Sequence, residues 1–496
     1  MSKVVIDVFA PDLGFPGFMD PWIKLAETFN NAHPGYEVAL RGMVFETFPL
    51  EVAKAVRDGH RPALAEYFFY TGQVARDCRA QDGSPLFTSL EKAIGGRTEI
   101  LGEPVVTGDV LPAFREYYSH DGELTSMPSI ATTSVIYANG DLLRRAGVSE
   151  LPQTWAEVEE ACKAVARLSD SPAYPITWAN HGTFFQQALA SQGGLLVNND
   201  NGRSGRATVT NLASKEMLAW VGWWRKVHRE GHYLHTGRVS DWAGSLRAFA
   251  QQRVAMRISS SNDVNYMLGV ARKNGFRLEV GGFPHNGEVP YGGNAVAGTS
   301  LWLANGLDEA TQDGALAFLQ FLHNPRNVAE KHRTNSFIPV TQASFDLLER
   351  EGWFDAHPYH RVASDQISSY PSRAVDEHGN RPTGTPPSRG AVFGDFAGTQ
   401  DAMTKAMRDV IAHGADPVER FTQANAEAQK LLEEYNAYAV ETGFRNPEDS
   451  PGHGLSVEYY TDPEAGEGYV GADLDELVML GRSNPVTGHQ DSVSAA

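Results

Sequence analysis

HDGELTSMPSIATTSVIYANGDLLRRAGVSELPQTWAEVEEA, residues 120–161, is the stretch whose reading decides the fold. Asp121-Gly122 is a turn signal, a polar strand follows it, and Gly147 marks a left-handed stop. Thr154 with Glu157 is the pattern of a capping box. The threonine hydroxyl accepts from the free N–H at the third helical position, and the carboxylate reaches back to the cap N–H. Trp155, Val158, Cys162, Val165 and Leu168 then recur at helical spacing, which predicts a helix with one buried face.

Toward the N-terminus, strand and helix signals alternate. Val4–Phe9 reads as a buried strand, and Asp20-Pro21 as an N-cap with proline where no N–H is needed. Trp22, Leu25 and Phe29 make one apolar face, and Pro34-Gly35 stops that helix. Tyr36–Gly42 is a second strand, Leu50–Asp58 a second helix, and Ala63–Tyr70 a third strand with an aromatic end. Strand–helix–strand order implies parallel pairing and an α/β lobe.

Toward the C-terminus, 154–270 is mainly helical. The run Asn198–Gly202 has a calcium-like look but lacks the alternating carboxylates and distal glutamate of an EF-hand, so it reads as a polar hairpin turn. A helix through Ala315–Leu322, a Pro/Gly-rich loop over 371–390 and a final helix capped by Asp416-Pro417 follow. Phe421, Ala424, Ala428 and Leu431 are expected to share the buried face of that last helix. Beyond it, Val457–Tyr460 suggests a strand and Asp473–Leu480 a short amphipathic helix.

At 496 residues the chain is long enough for two lobes. Its 61 acidic against 42 basic side chains give a net charge of −19, a field that repels nucleic-acid backbones and anionic lipid. Cys78 and Cys162 are the only cysteines, too few for a disulfide framework and not spaced as metal ligands. The chain enters Val4–Phe9 directly after Met1-Ser2-Lys3, which is too short and wrongly flanked for a signal peptide. No run approaches the about 18 apolar residues of a membrane span.

Catalytic motifs are poorly supported. Residues 466–471 match GxGxxG, but in a polar tail with too little chain after them for a βαβ unit. His357 and His360 would ligate a metal together only on a helix, which Pro358 opposes. No carboxylate pair has a spacing that implies glycosidase chemistry, and no G-x-S-x-G, Walker or Cys–His pattern occurs. Neither a cofactor nor a metal is expected.

The opening stretch also carries a resemblance. Asp121-Gly122-Glu123-Leu124, Pro128, Tyr137, Asn139, Asp141-Leu142, Ala146-Gly147, Pro152 and Thr154-Trp155 stand in the order found in the extracellular solute-binding proteins of carbohydrate ABC transporters. Gly298–Trp302, Phe337–Thr341 with Ala343–Leu347, and Arg350–Phe354 with His357-Pro358 resemble the sn-glycerol-3-phosphate-binding branch of that family. The resemblance covers about residues 4–440 and implies a bilobal α/β fold of the periplasmic-binding-protein type (type II), with a ligand cleft between the lobes. It implies lobes of 1–131 plus 297–325 and 132–296 plus 326–440, with 441–496 as an extension. Chain crossings are expected near Ile130–Thr133, Asn294–Gly298 and Asn324-Pro325.

By the same resemblance the protein captures a small solute, passes it to ABC permease subunits, and works as a monomer in the periplasm or outside the cell. Its cleft residues would be Phe68, Phe69, Thr132, Thr133, Trp178, Asn180, His181, Ser260, Ser261, Asn262, Gly298, Thr299 and Phe337. Trp178 stands out as an aromatic in a polar loop, and Ser259–Asp263 as a turn where hydroxyls and amides converge. Aromatic faces with hydroxyl and amide groups suit a sugar or polyol. The branch carries a glutamate at the position of Phe69, a second tryptophan near Trp178–Gly182 and an arginine near Val392. Their loss here argues against glycerol 3-phosphate and for a neutral sugar, polyol or glycoside. The missing leader keeps a cytoplasmic enzyme or sensor on the same fold as the alternative.

Overall fold

The computed structural model describes residues 3–12, 19–45, 47–368 and 390–445. Two mixed sheets organise them. In the first, Tyr36–Val44, Val4–Asp12, Leu64–Phe68, Ala297–Ala304 and Phe87–Thr88 lie in that order, and Met127–Thr132 also pairs with Ala297–Ala304. Val4–Asp12 runs parallel to both neighbours, as the strand–helix–strand order implies. In the second sheet the order is Tyr233–Leu234, Tyr174–Thr177, Val254–Ser260, Ser134–Asn139, Leu278–Gly282. Helices pack on each sheet and give two α/β lobes. One boundary differs from expectation: the third strand stops at Phe68 rather than Tyr70, and Phe69–Thr71 turns out of the sheet as a 3-10 helix.

The chain leaves the first sheet at Thr132 and enters the second at Ser134, so Thr133 alone joins two strands of different lobes. It returns between Gly282 and Ala297. These two passages are bonded to each other. Asn294 Nδ2 donates to Thr133 Oγ1 at 3.3 Å, and Thr133 Oγ1 donates to the Ala295 carbonyl at 3.2 Å. Helix Pro325–Asn335 starts at the third expected crossing, with Asn324 as its cap.

The capping box forms as read: Thr154 Oγ1 accepts from Glu157 N, and Glu157 Oε2 accepts from Thr154 N at 3.0 Å. Its helix, Trp155–Ala166, buries Trp155, Val158, Cys162 and Val165. Asn199, Asp200 and Asn201 are all left-handed, and the segment closes an antiparallel bridge between Val197 and Thr210, so the polar-turn reading fits. His357–His360 falls on a 3-10 turn rather than a helix. Both cysteines are free and buried, and burial pushes the Cys78 thiol up to about 12. Residues 371–389, Val457–Tyr460, 466–471 and Asp473–Leu480 lie outside the described residues.

The last described helix, Pro417–Thr442, differs in one detail from expectation. Its buried stripe is Phe421, Ala424, Ala428 and Leu432, with Leu432 rather than Leu431 completing the i, i+4 row. At 26 residues it is about 39 Å long, which is long enough to serve both lobes. Phe421 packs beside Phe185 of the second lobe. Tyr435, Ala439 and Phe444 instead join a cluster with Phe9, Phe48, Tyr67, Phe87 and Trp302 of the first sheet.

Candidate functional site

The site is built where strand ends of the two sheets meet. On the first lobe Phe68 closes its strand half-buried, with its ring 4.7 Å from Phe45 and 5.7 Å from Tyr70. Phe69 turns inward and is buried, and its ring reaches Phe396 of the second lobe at 6.0 Å. On the second lobe His181 caps helix Gly182–Ser191, its Nδ1 accepting from Thr183 N at 3.1 Å. That bond leaves the proton on Nε2. Burial lowers the His181 pKa to about 4, so at neutral pH it is an uncharged donor beside Trp242, 5.1 Å away.

Several expected contacts are engaged within the protein. Trp178 does not sit in a polar loop. It is 1% exposed and stacks on Trp223 at 5.6 Å in a cluster with Trp220, Trp224 and Tyr233, because the strand before it carries it into the lobe's core. Thr133 N donates to Ser261 Oγ at 3.1 Å, so both residues belong to the crossing. Thr299 is buried in its strand, where Oγ1 donates to Glu66 at 2.6 Å and accepts from Ile130 N. Gly298 has φ +127 and stands against the Ile130 carbonyl, a backbone role. Asn180 is buried, with Nδ2 donating to the Thr404 carbonyl and Oδ1 unpartnered. Thr132, His181, Ser260, Asn262 and Phe337 are half-buried, as Phe68 is.

The serine turn has an electrostatic task of its own. Asp263 Oδ2 accepts from Arg257 Nη1 and from Ser259 Oγ, each at 2.6 Å, which neutralises a guanidinium that is almost fully buried. Other boundary cations are hydrogen-bonded within the protein as well. Arg203 of the second lobe donates to the Gly390 carbonyl at 3.1 Å and to the Tyr117 carbonyl of the first lobe at 2.8 Å. Arg206 crosses to Asp77, with Nη1 at 3.0 Å from Oδ2. Lys331 donates to the Ser129 carbonyl at 3.0 Å, and burial holds its ammonium below the usual range.

Phe69, Arg76, Tyr117, His120, Arg203 and Val392 are among the residues lining a cavity of about 30 Å³ at this boundary. A groove of about 830 Å³ lies elsewhere, along Leu278–Gly282 and residues 148–153, and its Arg144, Arg277 and Glu279 are ion-paired on the protein surface. Sequence reading missed Trp242, Gln186, Gln400 and Tyr117. The available signal was a pair of glutamines, Gln186-Gln187, inside an otherwise apolar helix. Among the described residues no group of three or more His, Cys, Asp or Glu is placed to hold a metal, and no helix is long and apolar enough to cross a membrane.

The family described as bacterial extracellular solute-binding protein matches residues 24–360. The chain belongs to that family. This solute-binding protein is 26% identical over 357 residues to the sn-glycerol-3-phosphate-binding periplasmic protein UgpB of Salmonella typhimurium, covering 70% of this chain and 77% of the relative. Its fold is similar to that of UgpB from Mycobacterium tuberculosis in complex with glycerophosphocholine, with TM-score 0.64, 17% identity and coverage of 87% and 99%. The cyclic α-maltosyl-1,6-maltose binding protein of Arthrobacter globiformis gives TM-score 0.64 at 16% identity, covering 87% and 100%. The bilobal type II fold and the role of substrate-binding component of an ABC importer follow. These matches favour that role over a cytoplasmic enzyme or sensor.

Proposed function

We propose that this solute-binding protein captures a neutral sugar, polyol or glycoside between its lobes and delivers it, without chemical change, to a membrane permease. It acts as a monomer in the periplasm or outside the cell, and its net charge of −19 disfavours a nucleic-acid partner. The lobes are 1–131 plus 297–325 and 132–296 plus 326–440, with 441–496 an extension of unassigned role. Phe68, Thr132, Asn180, His181, Ser260, Asn262 and Phe337 make the contacts, while Phe69, Thr133, Trp178, Ser261, Gly298 and Thr299 shape the walls.

The engagement of the boundary cations with protein oxygens carries this reading. A phosphate needs a guanidinium or ammonium with donors to give; Arg206 and Arg257 are ion-paired with Asp77 and Asp263, and Arg203 and Lys331 are held by backbone carbonyls. Phe68 and Trp242 offer ring faces, and His181 offers an uncharged donor. The curated relative is named for glycerol 3-phosphate and the Arthrobacter protein for a cyclic maltosaccharide, so the fold serves both chemistries.

Calorimetric titration with maltose, mannobiose, α-D-tagatose and glycerol 3-phosphate at 50 and 500 mM sodium chloride tests the proposal. The expected result is binding of a neutral member with a Kd that moves less than about threefold between the two salts, since no exposed ion pair is screened. Tight binding of glycerol 3-phosphate that weakens steeply with salt would overturn it.

A further inference from the structure

Helix Gly182–Ser191 is buried along its whole length, yet it carries two adjacent amides. Gln187 is fully used: its Nε2 donates to the Ala295 carbonyl at 2.6 Å and its Oε1 accepts from Ala295 N at 3.1 Å. Gln186 is 4% exposed, and neither its oxygen nor its nitrogen has a partner among the described residues. The same holds for Gln400, 1% exposed on helix Phe396–Ala412, which packs against the first helix. The Tyr117 hydroxyl of the first lobe is likewise buried and unpartnered. Buried amides without partners are strongly disfavoured. Three such groups side by side need a reason.

Two glycines tie them together. A Cβ on Gly182 would stand 2.4 Å from Cγ and Oε1 of Gln400. A Cβ on Gly390, whose φ is +71, would stand 2.8 Å from Tyr117 Cε2, 3.2 Å from Gln186 Nε2 and 3.6 Å from the Tyr117 hydroxyl. Gly390 therefore has the first lobe's tyrosine and the second lobe's glutamine around one point. Gly182 and Gln186 are one helical turn apart, so Gln400 and Gln186 lie along a single stripe. The cavity lined by Tyr117 and Val392 adjoins that stripe.

We infer that Gln186, Gln400 and Tyr117 are specificity-determining residues that read adjacent free hydroxyls on an uncharged part of the solute, an inference that rests on the neutral-solute proposal above and sharpens it. A primary amide presents an acceptor and a donor side by side, and a vicinal diol completes both. Because Tyr117 and the two glutamines belong to different lobes, a solute bonded to all three holds the lobes together. The neighbouring Arg203 is held by the carbonyls of Gly390 and Tyr117, so it braces the wall beside these three groups.

The test uses Gln186→Leu, Gln400→Leu and Tyr117→Phe in the full chain. Thermal midpoints are measured without solute and with saturating maltose, mannobiose or α-D-tagatose. The expected result is a solute-free midpoint in the leucine variants equal to or above that of the parent, because an unpartnered amide is replaced by an apolar group of similar size. The solute-induced shift should at the same time shrink, with affinity down at least tenfold. A solute-free midpoint lowered by several degrees in both leucine variants would show the amides to be structural and overturn the inference. An unchanged solute shift would also overturn it while leaving the neutral-solute proposal standing. If none of the three sugars moves the parent protein, that proposal fails, and the solute-free midpoints still decide whether the amides are structural.

Discussion

Gly298→Ala is expected to lower the thermal midpoint by about 10 °C, which corresponds to a loss of about 4 kcal/mol in a protein with lobes of this size. Gly298 has φ +127, outside the region an L side chain tolerates. A Cβ there would lie 1.9 Å from the Ile130 carbonyl oxygen and 2.7 Å from its carbon. Both atoms are backbone of the neighbouring strand, so no rotamer change relieves the contact. The strain of the wrong φ costs about 1–3 kcal/mol and forced overpacking a similar amount. The position also falls at the register shift between Gly298 and Ser300, where Ala297–Ala304 pairs with Met127–Thr132.

The damage would not stay local. Met127–Thr132 leads through Thr133 into the second lobe, and Ala297 is where the chain returns. Pushing the two strands apart moves the pair of passages on which any lobe motion depends, so Gly298→Ala should also weaken solute binding. A control separates this from a generic glycine effect. Gly222 is an exposed position inside helix Lys215–Arg229, with nothing within 4 Å of a new Cβ. Gly222→Ala should raise the midpoint slightly, by the about 0.5–1 kcal/mol that alanine gains over glycine in a helix. Differential scanning calorimetry of both variants checks the pair. Equal midpoints for Gly298→Ala and the parent would mean that the crossing accommodates a side chain.

Local signals account for what could be read without a structure. The capping box at Thr154 and the Asp-Pro cap at Asp416 have their partners within three residues, so each was legible at its full meaning. The parallel pairing of the first three strands followed from element order, and the crossings near Thr133 and Ala295 from the ordered resemblance. Side-chain direction was the part that failed. Trp178 follows Tyr174–Thr177 and has polar neighbours in sequence, yet four aromatic rings from 220–233 surround it in space. Thr299 and Ser261 carry hydroxyls suited to a sugar, but their bonds go to Glu66 and to Thr133, residues far away in the chain. Gln400 was invisible for the same reason: what marks it is a glycine more than two hundred positions earlier that a helix brings beneath it. Sequence patterns register periodicity and neighbours along the chain. They do not register which of two hydroxyls a distant backbone has already claimed.

That distinction decides the second large effect. Asp77→Ala is expected to cost about 3 kcal/mol, because two buried donors, on Gln73 and Tyr435, lose their acceptor at about 1–3 kcal/mol each. Asp77 ends helix Gly72–Asp77 of the first lobe and is 4% exposed. Its carboxylate accepts from Gln73 Nε2 at 3.0 Å, from Arg206 of the second lobe, and from the Tyr435 hydroxyl at 3.1 Å on the helix that serves both lobes. One anion thus holds three elements. Without it, the Tyr435 hydroxyl and the Gln73 amide lose this acceptor, and Arg206 keeps Asn436 Oδ1 at 3.2 Å. Arg206→Ala should cost less, because Asp77 retains Gln73 and Tyr435 as donors. The order Asp77→Ala worse than Arg206→Ala, read from urea unfolding midpoints, is the signature of an anion that organises the contact; the reverse order would refute it. Since the bonds span the lobes, both variants should also enlarge the solute-free radius of gyration in small-angle scattering. They should raise the apparent Kd for a captured sugar in proportion to the lost fraction of closed molecules. Asp77→Asn, which keeps the shape and an acceptor oxygen but not the charge, should fall between the parent and Asp77→Ala on every one of these scales.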